Sequence, residues 1–264
     1  MRPYVSYLIM ATPRSGSYLL CEALINTNLA GRPTEYFGPV ETRSLLKKWD
    51  VPDYAACLAR IIEEGTTPNG VFGAKIIWQF IEDFVDHLRD IPGYEKLSMP
   101  QLMSTTFPHL SYLWITRRDK VRQAISFWKA LQNNAWIEFE GQRPWAQITA
   151  QKRVLAESWK QQPSEKEEIF DFKTIERLRR GLEEDEVEMQ QYFTTCEVQP
   201  FKVVYEDFVG TYEETVFQIL DYLQIPVPEQ LVFGERKLKK QANEQSEEWV
   251  QRYYEIKQKE DRER

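Results

Sequence analysis

The stretch Tyr4 to Leu20, YVSYLIMATPRSGSYLL, sets the reading of the whole chain. Residues 4 to 11 form a short, nearly unbroken apolar run that ends in a turn, the pattern of a strand buried on both faces. Thr12-Pro13-Arg14-Ser15-Gly16-Ser17-Tyr18 follows, and then Leu19, Leu20, Ala23 and Leu24 recur along one helical stripe. A turn between a strand and a helix aims successive backbone N–H groups, and the positive end of the helix dipole, at one point. Gly16 permits close backbone approach or an unusual dihedral. Ser15 and Ser17 add hydroxyl donors, and Arg14 adds a forked cation suited to phosphate or sulfonate. The Walker pattern G-x-x-x-x-G-K-[ST] is absent, which speaks against an ordinary ATPase. The same serines also suit a plain helix cap, but the strand–turn–helix setting favours an anion site.

Three further runs read as buried strands: Val71 to Ile77, Leu110 to Thr116, and Phe201 to Tyr205. Helical patterns lie between them, including Val121, Ala124, Ile125, Trp128 and Leu131 after the third. Strands alternating with helices predict an α/β fold with a central parallel sheet covered on both faces. Residues 38–69, which run into the turn Thr67-Pro68-Asn69-Gly70, read as a helical excursion, and the charged residues 145–195 as an added helical layer. The tail, 246–264, reads as an amphipathic helix with Trp249, Tyr253 and Ile256 on one side. Neither a repeat nor a long linker interrupts the chain, so residues 1–264 are expected to form one domain.

Composition narrows the chemistry. The 264 residues carry 34 basic and 41 acidic side chains, a net charge of −7, which argues against general nucleic-acid binding. An anionic ligand must therefore be held by a local site. One such concentration is Thr116-Arg117-Arg118-Asp119-Lys120, followed by Arg122 and Ser126-Phe127-Trp128. It falls at a strand's carboxyl end, where open α/β sheets bind ligands. Asp119 reads as a helix cap, Lys120 and Arg122 as solvated charges, and Glu206-Asp207 as a cap for the helix after the fourth strand. Two histidines, His87 and His109, are too few for a His-rich metal site, and no metal is expected. Three scattered cysteines fit buried thiols in a reducing compartment. The N-terminus lacks the apolar core of a signal peptide or membrane span, so a cytoplasmic protein without an integral membrane segment is expected.

Taken together, TPRSGSYLLCEAL, AGRPTEYF, TPNGVFGAKIIW, RRDKVRQAISFWKALQ and QANEQSEEWVQRYYE resemble the sulfotransferase family, and within it the bacterial trehalose-sulfotransferase branch. These stretches run in the same order from residue 12 to residue 255. The resemblance implies a three-layer fold like that of P-loop nucleotide-binding proteins and transfer of a sulfuryl group from 3′-phosphoadenosine 5′-phosphosulfate. The acceptor is then a hydroxyl of a small, carbohydrate-like molecule. It places Arg14, Ser15, Gly16, Ser17 and Tyr18 on the 5′-phosphosulfate, and Arg117 with Ser126 on the 3′-phosphate. Arg118 stands where the branch can have proline. Lys240 stands where the branch has an arginine and is assigned to the donor. Glu35 matches the carboxylate that serves as general base, and Pro13, Pro33, Thr34, Glu35, Tyr36, Phe37 and Trp49 are assigned to the acceptor side. Lys75 matches a branch position without a clear role. A homodimer is implied by the resemblance alone.

Two other classes compete. A non-catalytic nucleotide-binding module would not need Arg14, Arg117 and Glu35, which are all present; an ATP-dependent small-molecule kinase needs the missing Walker lysine. Of the eight tryptophans, Trp114 and Trp159 read as core, whereas at least one of Trp49, Trp78, Trp128 and Trp136 is expected to stack on the acceptor.

Overall fold

A computed structural model describes residues 3–133, 168–234 and 244–263. Its elements are β1 (Val5–Ala11), α1 (Ser17–Ile25), α2 (Pro39–Trp49), α3 (Tyr54–Gly65), β2 (Val71–Ile77), a 3₁₀ turn (Trp78–Phe80), α4 (Ile81–Arg89) and α5 (Met99–Thr106). β3 (Leu110–Thr116), α6 (Lys120–Asn133), α7 (Phe172–Thr195), β4 (Phe201–Val204), α8 (Tyr205–Phe208), α9 (Tyr212–Tyr222) and α10 (Glu244–Arg262) follow.

The four strands among the described residues are all parallel, in the order β2-β1-β3-β4. Successive side chains leave a strand on opposite faces, so each apolar run serves two cores. Leu8, Met10, Phe72, Ile76, Tyr112 and Trp114 enter one core with α3, α4, α5 and the Met189 and Phe193 end of α7. Tyr7, Ile9, Ala11, Leu113, Ile115 and Val203 enter the other with α1 and α9. The result is the expected α/β arrangement, a parallel sheet between helical layers. A third cluster joins α6, α7 and α10 through Val121, Ile125, Leu182, Trp249 and Tyr253. Beside it, buried Glu176 accepts from Arg179 at 2.8 Å, Arg180 at 2.8 Å and Tyr253 at 2.5 Å. These donors hold its carboxyl well below the usual range despite burial.

The strand order fixes where a ligand can enter. From β1 the chain crosses to one side to form β2, and it returns past β1 to form β3 and β4. The loops leaving β1 and β3 therefore open side by side at the carboxyl edge of the sheet.

α7 runs beside that edge with an acidic face. Trp78 Nε1 donates to Glu188 at 3.1 Å, and Gln79 Nε2 donates to Asp185 at 2.9 Å. Burial, and after it the neighbouring Glu188, Glu184 and Glu186, push the Asp185 carboxyl up to about 6. A carboxyl raised on folding stabilises the native state fully only below its unfolded value near 3.9, and this contribution fades as pH rises through 6. Asp185→Asn keeps the acceptor for Gln79 and removes the charge. The variant is expected to melt with wild type near pH 4 and above it at pH 8; thermal circular dichroism at both pH values checks this, and a lower melting temperature at pH 8 contradicts it.

Candidate functional site

The loop after β1 is clamped from across the crevice. Fully buried Gln123, on α6, donates through Nε2 to Thr12 Oγ1 at 2.9 Å and to the Pro13 carbonyl at 2.7 Å. Arg14 and Gly16 both take left-handed backbone angles, φ 62 and 93, around Ser15. Gly16 has a second reason to be glycine, because a Cβ there would overlap the ring of Tyr205 from α8. The tight turn delivers α1 without a side-chain cap, leaving its N-terminal amides to face the crevice. Ser15 Oγ is buried there without a hydrogen-bond partner among the described residues. Orphaned donors of this kind fit a bound anion.

Cations converge on the same point. Arg14 Nε donates to Ser126 Oγ at 2.9 Å, which ties the first loop to α6. Burial and then the charge of Arg117 push the Arg14 guanidinium down to about 10, so the two arginines repel each other across a small space. Two cations so placed suit a ligand that carries anionic groups into the crevice. Arg117 is 16% exposed and lies 5.0 Å from the Tyr205 ring centroid. Its neighbour Arg118 is 58% exposed and pairs with Asp207. Of the two, Arg117 is the one whose charge reaches Arg14, and its Nε also lies 3.6 Å from Glu206.

Two sequence readings are corrected here. Glu206 and Asp207 do not cap their own helix: Glu206 accepts from the amides of Arg118 at 3.0 Å and Asp119 at 3.4 Å. The pairing of β4 with β3 sets the start of α8 against the turn before α6, so these acids secure that turn instead. Lys120 is not a solvated charge either, since its Nζ lies 2.6 Å from Glu186 on α7 with 13% of the side chain exposed. Asp119 does cap α6, accepting from the Arg122 amide at 2.8 Å. Arg122 in turn pairs with Asp119 and Glu247.

The second half of the site lies along β2. Gly31 has φ 68 where a Cβ would strike the Gly73 backbone, and the Arg32 amide donates to the Gly65 carbonyl at 2.8 Å. The chain then runs beside β2, where the Lys75 amide donates to the Thr34 carbonyl at 2.9 Å and Glu35 pairs with Lys75 in parallel. Lys75 Nζ sits 2.7 Å from Glu35 Oε2, with Lys75 fully buried and Glu35 5% exposed. Tyr18, on the first turn of α1, donates its hydroxyl to the same Oε2 at 3.0 Å, and its ring centroid lies 3.4 Å from Lys75 Nζ. Burial, then the Glu35 and Glu41 carboxylates, push the Tyr18 phenol well above its ordinary value, so it stays a donor. Tyr18 thus joins the anion loop to Glu35.

The remaining candidates divide. Pro13, Pro33 and Thr34 are buried around these two groups. Tyr36 donates to the Arg32 carbonyl at 2.9 Å, and Phe37 stacks 4.3 Å from Phe84, so both point into the core. Trp49 packs on the same core at the far end of α2. The Trp128 indole donates to the Ile169 carbonyl at 2.7 Å, and Trp114 is core. Lys240, Trp136 and Trp159 lie outside the described residues. Four contributors were not assigned roles from sequence: Gln123, Tyr205, Glu41 and Lys75. Only Lys75 carried a signal, as the one charge in the apolar run VFGAKII.

Comparison with known proteins decides the family. The family model described as Stf0 sulphotransferase matches residues 6–256. The chain belongs to the Stf0 sulphotransferase family. A trehalose 2-sulfotransferase of Mycolicibacterium smegmatis is 31% identical over 94% of this chain and 94% of its own. One from Mycobacterium tuberculosis is 25% identical over 94% of this chain and 93% of its own. Among solved structures, the sulfotransferase domain from the curacin biosynthetic pathway aligns with 88% of this chain and 77% of its own, at TM-score 0.43 and 15% identity. The protein is thus a sulfotransferase. Among its described residues no cluster of three metal-ligating side chains occurs, and no helix is long and apolar enough to cross a membrane.

The cradle of this sulfotransferase makes a direct prediction about anions. Inorganic sulfate is expected to raise the melting temperature, because a ligand bound only to the native state stabilises it. Arg14→Ala or Arg117→Ala should remove most of that rise, and Arg118→Ala should leave it. A differential scanning fluorimetry titration of the four proteins reads the result; equal loss from Arg118→Ala would reverse the assignment of the two arginines.

Proposed function

We propose that this sulfotransferase moves a sulfuryl group from 3′-phosphoadenosine 5′-phosphosulfate to a hydroxyl of a small carbohydrate-like acceptor, with Glu35 as general base. One observation carries the reading: buried Glu35 is linked through Tyr18 to the loop that presents Arg14, Ser15 and Gly16. A proton acceptor and an anion cradle thus share one crevice. Trehalose, named in both relatives, is the first acceptor to test.

The donor supplies an activated sulfur whose bond to the phosphate oxygen breaks as the acceptor oxygen bonds to it in line. The protein's part is positioning and electrostatics, as in related phosphoryl transfers. The loop amides and Arg14 stabilise charge growing on the departing phosphate oxygen. Arg117 and Ser126 hold the 3′-phosphate. Glu35 takes the hydroxyl proton as the oxygen attacks, a role worth about 10²–10⁴-fold in rate. Arg14, Arg117 and the buried Ser15 hydroxyl fit the two anionic ends of such a donor without a metal.

Glu35→Gln is expected to lower turnover of labelled donor with trehalose, or with an acceptor found in a panel of hydroxyl compounds, by at least about 10²-fold. It should leave calorimetric binding of adenosine 3′,5′-bisphosphate unchanged. Near-normal turnover removes Glu35 from the chemistry, and binding of ATP with Mg²⁺ but not of the bisphosphate removes the donor.

A further inference from the structure

The reading of Glu35 as base leaves Lys75 without a purpose. A lysine with no exposed surface is costly: removing an ammonium from water carries a penalty of several kcal/mol, and its ion pair offsets that only in part. β2 does not need this charge for packing, since Val71, Phe72, Ala74, Ile76 and Ile77 fill both cores from the same strand. A buried ion pair can commonly be replaced by apolar residues without loss of stability. The position is nevertheless built with care. The Glu35–Lys75 bridge sets the two residues side by side through the backbone, and the Tyr18 ring closes over Nζ at 3.4 Å.

We infer that Lys75 is a positioning residue for the transfer: its ammonium, gripped between Glu35 Oε2 and the Tyr18 ring, keeps the Glu35 carboxylate ionised and aimed at the acceptor hydroxyl. The charges around it show why a cation is required. Glu35 comes from the segment beside β2, Lys75 from β2, Tyr18 from α1 and Glu41 from the first turn of α2. Glu41 is 2% exposed, and Gly38 is the gap between the two acids. A Cβ on Gly38 would overlap Glu41 Oε2 and stand 3.4 Å from Glu35 Oε1. Two buried carboxylates at such a separation favour uptake of a proton by one of them. Lys75 opposes that uptake, and a protonated Glu35 has no capacity to receive the acceptor's proton. Tyr18 adds a donor to Oε2 and stays protonated, so it orients the carboxylate without supplying a charge.

The inference rests on the proposed role of Glu35, and the test separates the two. Lys75→Met removes the charge, and Lys75→Gln keeps a polar donor of lesser reach. Both are assayed with labelled donor and trehalose, or the panel acceptor, across pH, beside calorimetry with adenosine 3′,5′-bisphosphate. In each variant kcat at pH 7 is expected to fall by about 10²-fold, with KM for the donor and affinity for the bisphosphate little changed. The acid limb of the pH–rate profile should move up by about one unit or more, so that part of the lost rate returns at alkaline pH. In the Glu35→Gln background, Lys75→Met should cost nothing further. Wild-type kcat with an unmoved acid limb overturns the inference, as does a loss that adds in full to that of Glu35→Gln. Loss of bisphosphate binding in both Lys75 variants also overturns it, because the ion pair then serves the fold of the cradle. Near-normal turnover by Glu35→Gln alone defeats the base assignment itself, a result distinct from all of these.

Discussion

The site depends on the parallel pairing of β1 with β2 on one side and β3 on the other. This pairing leaves the chain emerging from Ala11 one exit, the crevice at the carboxyl edge of the sheet. It also fixes the distance between the loop after β1 and the helix after β3, short enough for Gln123 to hold Thr12 and Pro13 and for Arg14 to reach Ser126. The outer side of β2 then takes one more piece of chain, residues around Glu35, through a single parallel bridge. Anion loop, second arginine and buried carboxylate are thus attachments to three neighbouring strands, β1, β3 and β2.

Electrostatics explains how a protein of net charge −7 keeps a cationic pocket. Arg118, Lys120 and Arg122 each have carboxylate partners, Asp207, Glu186 and the pair Asp119–Glu247. Arg14 and Arg117 are drawn inward, where Arg14 feels the charge of Arg117 and solvent screens little, although Arg117 also stands 3.6 Å from Glu206. Glu186 of α7 and Glu206 of α8 hold neighbouring turns in place, whereas burial and the surrounding carboxylates push Asp185 up. Locally arranged charge, not net charge, governs what this crevice binds.

Most of the sheet was legible from sequence because strands buried on both faces must be apolar at every position. Each of the four runs became a strand within a residue or so of its expected limits. The loop around Gly16 was legible because a left-handed turn between strand and helix demands unusual residues in a row. Gln123, Tyr205 and Glu206 were not legible as contributors, since each acts on a partner that pairing of distant strands brings near. Gln123 and Thr12 lie 111 residues apart, and Glu206 and Arg118 lie 88 apart. The indoles of Trp78 and Trp128 find acceptors in Glu188 and Ile169, within the protein.

The sequence by itself determined the parallel α/β architecture, the family and the turn around Gly16, because burial periodicity and backbone angles are imposed locally by residue type. It also showed an unexplained lysine in an apolar strand. Tertiary structure decided which arginine turns inward, what Glu206 secures and what Lys75 touches. Those outcomes depend on the order of strands in the sheet and on the bridge that lays Glu35 beside β2. A charge can be read from one residue, but its partner is chosen by the packing that excludes water around both.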